Sequence, residues 1–178
     1  MINIIAFLGP SGVGKSTLQS LLDIRPIVTW TSRLPRKGEI NGVNYHFTTK
    51  DTIMRMYEQG ALLEFTQYND NLYGTALNSI NELIATEKFA SIIVDGNGAN
   101  ELKKKYRDNV LILGVYAPIE ECILRLTTRG DSDSVLRIAT YHDEVQVMQA
   151  LADFIINNSR ANWDRSTTLM RLLVKGIR

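Results

Sequence analysis

The stretch Gly9-Pro10-Ser11-Gly12-Val13-Gly14-Lys15-Ser16-Thr17 constrains this chain more than any other. It fits the phosphate-loop pattern G-x-x-x-x-G-K-[ST] through Gly9, Gly14, Lys15 and Ser16. The apolar run Ile2 to Leu8 before it reads as a buried parallel strand. Leu18, Leu21 and Leu22 after it stand at i, i+3 and i+4, which gives one helix face an apolar stripe. A glycine-rich loop between such a strand and helix aims backbone N–H groups at an anion. Lys15 adds a point charge for β- and γ-phosphates, and the Ser16 hydroxyl is a ligand for Mg²⁺. Any fold for this chain must therefore carry a strand–loop–helix unit, which belongs to α/β architectures.

The length of 178 residues suits one domain with a substantial core. A net charge of +1 predicts no general attraction to nucleic acid or membrane, so an anion site has to be built locally. Cys122 is the only cysteine, which excludes an internal disulfide and suits a reducing compartment. No apolar run reaches the length of a membrane span and no leader pattern is visible, so the expected location is the cytoplasm.

Further along, residues 27–32 are β-branched and aromatic and predict a second strand. Residues 33–47 mix Pro, two Gly and three cations, an exposed loop and hairpin. A helix is expected through Met54, Met56 and Tyr57, capped by Thr49 or Lys50-Asp51 with Asp51 preferred, and stopped at Gly60. A short strand carrying Glu64, a turn at 69–71 and a helix over 77–86 follow. Residues 91–96 and 110–116 read as buried strands, and 100–106 as a helix with a solvated basic face. Residues 120–127 read as a helix with Ile123, Leu124 and Leu126 inward. Residues 128–134 form a polar loop, 135–152 a helix, 154–156 a last strand, and about 164–174 a closing helix.

Beyond the loop, Thr31-Ser32-Arg33-Leu34-Pro35-Arg36-Lys37-Gly38-Glu39, then Gly42, Tyr45 and Phe47, match the guanylate kinase pattern T-T-R-x-P-R-x-G-E-x-x-G-x-x-Y-x-F. Leu62-Leu63-Glu64-Phe65 and Asn71-Leu72-Tyr73-Gly74-Thr75 are similar to that family's F-L-E and N-x-Y-G-T segments. The chain thus resembles guanylate kinases from the loop to about Asn158.

The resemblance implies a phosphate-loop NTPase fold of three layers around a parallel sheet, with ligands at the C-terminal strand ends. It implies a core over about 1–30 and 76–178, a GMP-binding α/β insertion over about 31–75, and a short lid over about 127–137. The implied reaction is Mg²⁺-dependent transfer of the ATP γ-phosphate to GMP by a monomer or homodimer. Gly9, Ser11, Gly12, Val13, Gly14, Lys15, Ser16, Thr17 and Asn157 would take ATP, with Ser16 on Mg²⁺. Thr29, Arg33, Arg36, Tyr45 and Tyr73 would grip the acceptor phosphate. Glu64, Thr75 and Asp95 would read guanine, whose N1–H and 2-amino group ask for acceptors. Lys15, Arg33, Arg125, Arg129 and Arg137 would act on the phosphate in flight, the last three from the lid.

The chain also departs from the family pattern. Ile93 stands where the first acid of D-x-D is expected, leaving Asp95. Trp30 replaces a small residue, the lid is short, and Asn157-Asn158-Ser159 replaces N-D-D. Two further readings stay open at this point. One is a related kinase with another phosphorylated acceptor, such as a ribose bisphosphate. The other is a catalytically weak guanylate-kinase-like module that binds rather than transfers.

Overall fold

The structure is a computed structural model that describes residues 2–36, 38–68, 70–86, 89–129 and 138–177. Its centre is strand β1 (Ile4–Leu8), buried at every position. Alternate residues of a strand face opposite sides. Ile4, Ala6 and Leu8 therefore join one core cluster and Ile5 and Phe7 the other. Four parallel strands make the main sheet in the order β6 (Ala90–Ile93), β1, β7 (Val110–Tyr116), β8 (Phe154–Asn157).

Helices cover both faces. Helix α3 (Leu77–Thr86) and helix α4 (Gly96–Tyr106) send Ile80, Leu83, Ala99 and Leu102 into the first cluster. Helix α1 (Lys15–Ser20), helix α5 (Ile119–Arg129) and helix α7 (Trp163–Ile177) send Leu18, Cys122 and Met170 into the second. Helix α6 (Tyr141–Leu151) reaches both, with Met148 in one and Tyr141 in the other. This is the expected three-layer α/β arrangement around a parallel sheet.

A second sheet is ordered β3 (His46–Phe47), β2 (Trp30–Thr31), β5 (Asn71–Ala76), β4 (Leu62–Tyr68). Helix α2 (Lys50–Glu58) packs on it through Ile53, beside Leu62 and Leu72. Among the described residues, no helix is long and apolar enough to cross a membrane.

Several expectations need correction. The strand expected over 27–32 is split between the sheets. Ile27 N donates to Ser91 O at 2.7 Å beside the main sheet, whereas Trp30 and Thr31 pair with β5. Helix α2 is capped by Thr49, whose extended backbone lets Oγ1 accept from Thr52 N at 3.2 Å, while Asp51 lies inside the first turn. Helix α4 starts well before residue 100. Asp95 caps it, accepting from Gly98 N at 2.9 Å, and the glycines of Gly96-Asn97-Gly98 hid that start.

In α5 the inward stripe is Ile119, Cys122 and Leu126; Ile123 and Leu124 are 43% and 64% exposed. Cys122 behaves as a small hydrophobe and sets the helix phase. Of the expected helix over 135–152, residues 138–139 are helical, a turn falls at Thr140 and α6 carries on from Tyr141, while residues 135–137 and most of the expected lid, 130–137, lie outside the described residues.

Candidate active site

The glycine loop leaves the C-terminal end of β1, where open α/β sheets gather ligands. Gly9 has φ 145°, and a Cβ there would stand 2.2 Å from Val115 O. Gly14 has φ 92° just before α1. These are conformations that side chains with a Cβ rarely adopt. Val13 anchors the loop by burying its side chain completely, so any contact it offers a ligand is from its backbone. Lys15 Nζ lies across the loop and donates to Gly9 O and, at 2.8 Å, to Pro10 O. Ser11 is half-buried, while Ser16 and Thr17 are exposed on the first turn of α1.

Arg125 approaches the loop from α5. Its Nη1 donates to Gly12 O and Val13 O, each at 3.2 Å. Its Nη2 donates to Glu121 Oε2 at 2.7 Å and to Asn158 O at 2.9 Å. The expected lid role for Arg125 is thus not the arrangement observed, because this guanidinium is committed to loop carbonyls. Arg129 is exposed at the end of α5, and Arg137 lies outside the described residues. Asn157 is exposed, with Oδ1 accepting from Ser159 N at 3.1 Å.

The second sheet brings a cationic cluster together. Arg33 Nη2 donates to Glu39 Oε1 at 2.9 Å and Arg33 Nη1 to Leu34 O at 2.7 Å. Glu39 Oε2 accepts from Arg36 N at 2.7 Å, and Arg36 Nη1 lies 3.9 Å from Oε1. The guanidinium of Arg33 sits 5.4 Å from the Tyr45 ring centre, and the Tyr45 and Tyr73 rings meet edge-on at 6.1 Å. Burial opposes charge on both partners, yet their hydrogen bond and attraction prevail. Arg33 is held above its ordinary pKa and Glu39 below the usual carboxylate range. Burial also raises the Tyr45 hydroxyl, with Tyr73 adding to it. Thr29 is half-buried next to β2, its carbonyl accepting from His46 N at 2.8 Å.

A register shift in the β4–β5 ladder between Leu62 and Glu64 sets Glu64 opposite Thr75. Both are buried, and Thr75 Oγ1 donates to Glu64 Oε1 at 2.8 Å. Burial lifts the Glu64 carboxyl to about 7, despite the Thr75 hydrogen bond, and Asp95 adds to the lift. Asn97, at the start of α4, donates from Nδ2 to Phe65 O at 3.3 Å. That contact ties β4 to the C-terminal end of β6, the neighbour of β1. The loop and the Glu64–Thr75 pair are therefore built around adjacent strand ends.

Four residues of this site escaped the sequence reading: Glu39, Asn97, Glu121 and Asn158. Glu39 lies inside the quoted pattern and could have been found as the counter-ion of its arginines. Glu121 could have been found as the i,i+4 partner of Arg125 on one helix face, whereas Asn158 carries no local signal, since it bonds to Val13 145 positions away. Among the described residues no group of three or more His, Cys, Asp or Glu is gathered for a metal. Ser16 offers one hard hydroxyl oxygen, a donor that suits Mg²⁺ when phosphate oxygens and water supply the rest.

Comparisons with known proteins agree with this geometry. The guanylate kinase family profile matches residues 1–172. A guanylate kinase of Lactobacillus delbrueckii subsp. bulgaricus is 33% identical over 168 residues, covering 89% of this chain and 82% of the relative. One from Enterococcus faecalis is 33% identical over 164 residues, covering 87% and 80%. The crystal structure of guanylate kinase from Anaplasma phagocytophilum superposes with a TM-score of 0.73 at 22% identity, covering 97% of this chain and 84% of that one. That last likeness concerns the fold. A profile spanning nearly the whole chain, and relatives matched over most of their own length, establish that the chain belongs to the guanylate kinase family.

Proposed function

We propose that this protein transfers the γ-phosphate of ATP to GMP, giving ADP and GDP. The observation that carries this reading is the buried Glu64–Thr75 pair, set in the same small sheet as Arg33, Arg36, Tyr45 and Tyr73. A carboxylate beside a hydroxyl complements the adjacent N1–H and 2-amino donors of guanine. An acceptor without a base would leave a buried acid unanswered. This argues for a nucleotide acceptor over a ribose bisphosphate. The intact Gly14-Lys15-Ser16 argues for transfer over a binding-only module.

Phosphoryl transfer requires little covalent work from protein groups; it requires two phosphates in line and cations over the spreading charge. The loop amides and Lys15 hold the donor. Its contacts to Gly9 O and Pro10 O keep Lys15 at the loop mouth, where it reaches phosphate by a small swing. Arg33 and Arg36 grip the acceptor phosphate, Arg33 from a site pre-oriented by Glu39 and walled by Tyr45 and Phe47. Arg129, at the exposed end of α5, would cover the transferred group, and the family resemblance assigns the same role to Arg137, which lies outside the described residues. Asp95, while capping α4, adds an acceptor near the base. Ser16 would hold Mg²⁺ together with the ATP phosphates, and the bound ion would supply positive charge against the phosphate oxygens.

The test is ADP release from ATP and Mg²⁺ against a panel of acceptors. Turnover with GMP that Lys15→Ala lowers by about a hundredfold or more is expected. Turnover confined to an acceptor lacking a base would sink the reading.

A further inference from the structure

A loop that cradles phosphate works only if its N–H groups point into the mouth. A planar trans peptide sends C=O and the following N–H in opposite directions. Fixing a carbonyl behind the loop therefore aims the next amide in front of it. Gly12 O and Val13 O are both fixed in this way. Arg125 Nη1 donates to each at 3.2 Å, and Asn158 Nδ2 gives Val13 O a second bond at 2.8 Å. The amides so aimed belong to Val13 and Gly14.

The supports are held in turn. Glu121 Oε2 accepts from Arg125 Nη2 at 2.7 Å and from Arg160 N at 2.9 Å, which joins α5 to the turn after β8. Asn158 N donates to Tyr116 O at 2.6 Å at the end of β7, and its carbonyl accepts from Arg125. Asn158 is buried, and a Cβ on Gly14 would stand 2.5 Å from its Nδ2. The side chain thus fills the space directly behind the loop. It has to present its NH₂ group to Val13 O, since the opposite amide orientation would set two oxygens face to face.

We propose that Asn158 and Arg125, backed by Glu121, are positioning residues that orient the Val13 and Gly14 amides toward the polyphosphate of the donor nucleotide. This rests on the reading of the loop as the ATP site. Arg125 acts through the loop backbone rather than on the phosphate in flight. Removing a support loosens the aim of one or two donors. The loss falls on the nucleotide held by the loop and spares GMP, which is held by the other sheet.

The test is calorimetric titration of the full chain with ADP and, separately, with GMP for wild type, N158A, R125K and E121Q. ADP affinity is expected to fall about five- to tenfold in N158A and R125K and about threefold in E121Q, the size set by single hydrogen bonds. GMP affinity is expected to stay unchanged. R125K keeps the charge but loses the fork that spans two carbonyls. Equal ADP affinity in wild type and N158A would overturn the proposal, and so would parallel loss of ADP and GMP. If N158A does not fold, E121Q and R125K decide, and unchanged ADP binding in both overturns it. A fall in turnover with ADP affinity intact in R125K places Arg125 on the phosphate instead, and overturns its part. Wild type that binds GMP but no ADP sinks the donor-site reading itself, a result visible without any variant.

Discussion

Thr75 gives its hydroxyl hydrogen to Glu64 at 2.8 Å across a register shift between β4 and β5, and both side chains are buried. The bond favours the ionised acid while burial disfavours it, and burial prevails: the carboxyl moves from 4.5 to about 7. A carboxyl raised in the folded state binds more protons folded than unfolded across that window, so its contribution to stability falls as pH rises through it. Glu64→Gln keeps the acceptor and removes the charge. The variant should match wild type near pH 5 and exceed it near pH 8 by on the order of 3 kcal/mol. Urea unfolding of both proteins across this range checks it; a stability difference that does not change with pH would refute the assignment.

The same substitution should relax base choice. Guanine loses its ionised acceptor in Glu64→Gln, so preference for GMP over AMP is expected to drop by about tenfold to a hundredfold, with ATP affinity unchanged. Specificity ratios with the two acceptors read this directly.

Glu39 holds Arg33 by its guanidinium and Arg36 by its backbone N–H. Glu39→Ala frees both arginines and leaves Arg33 to find its geometry afresh. The expected result is a rise of about tenfold in KM for GMP with little change in KM for ATP. A uniform fall in turnover with both KM values intact would contradict this.

Two loop glycines should differ in severity. An added Cβ at Gly9 meets the backbone oxygen of Val115 at 2.2 Å, whereas at Gly14 it meets the side-chain amide of Asn158 at 2.5 Å. A backbone carbonyl cannot turn aside, but a side chain can. Gly9→Ala is expected to cost more than about 3 kcal/mol and Gly14→Ala about 1–2, from strain at positive φ plus the displaced amide. Thermal unfolding of the two variants ranks them.

Cys122 is fully buried under Gly12, and burial pushes its thiol up to about 11. Reaction with a disulfide reagent at pH 8 should be slower than in the unfolded chain by about a hundredfold or more. Fast labelling of the native protein would show that α5 opens from the loop.

The loop, the parallel strands and the Arg33–Arg36 segment were legible because each is set by local patterns: glycine spacing, apolar runs, a string of cations. What escaped was set by partners distant in sequence. The inward face of α5 was misjudged because Leu124 outranks Cys122 in hydrophobicity, while the helix phase depends on where Gly12 needs a neighbour. The start of α4 was hidden because glycines weigh against a helix unless a cap such as Asp95 is recognised. The split of residues 27–32 was invisible because both halves are β-formers, and only the two sheets assign them to different ladders.

That split has a consequence for how the sequence can vary in length. Only Val28 and Thr29 separate the Ile27 bond to the main sheet from β2 in the small one. One residue inserted there leaves the main sheet intact but puts β2 out of phase, exchanging the faces of fully buried Thr31 and of Trp30, which packs against the Ile53, Leu62 and Leu72 cluster. Insertions of one residue should be rejected at this joint yet accepted in the exposed turn at Gly42, where a side chain would meet open space and the Arg33–Glu39–Arg36 contacts are untouched. The permitted lengths of this chain are thus written in steps of two at residues 28–29 and in single steps a dozen residues later.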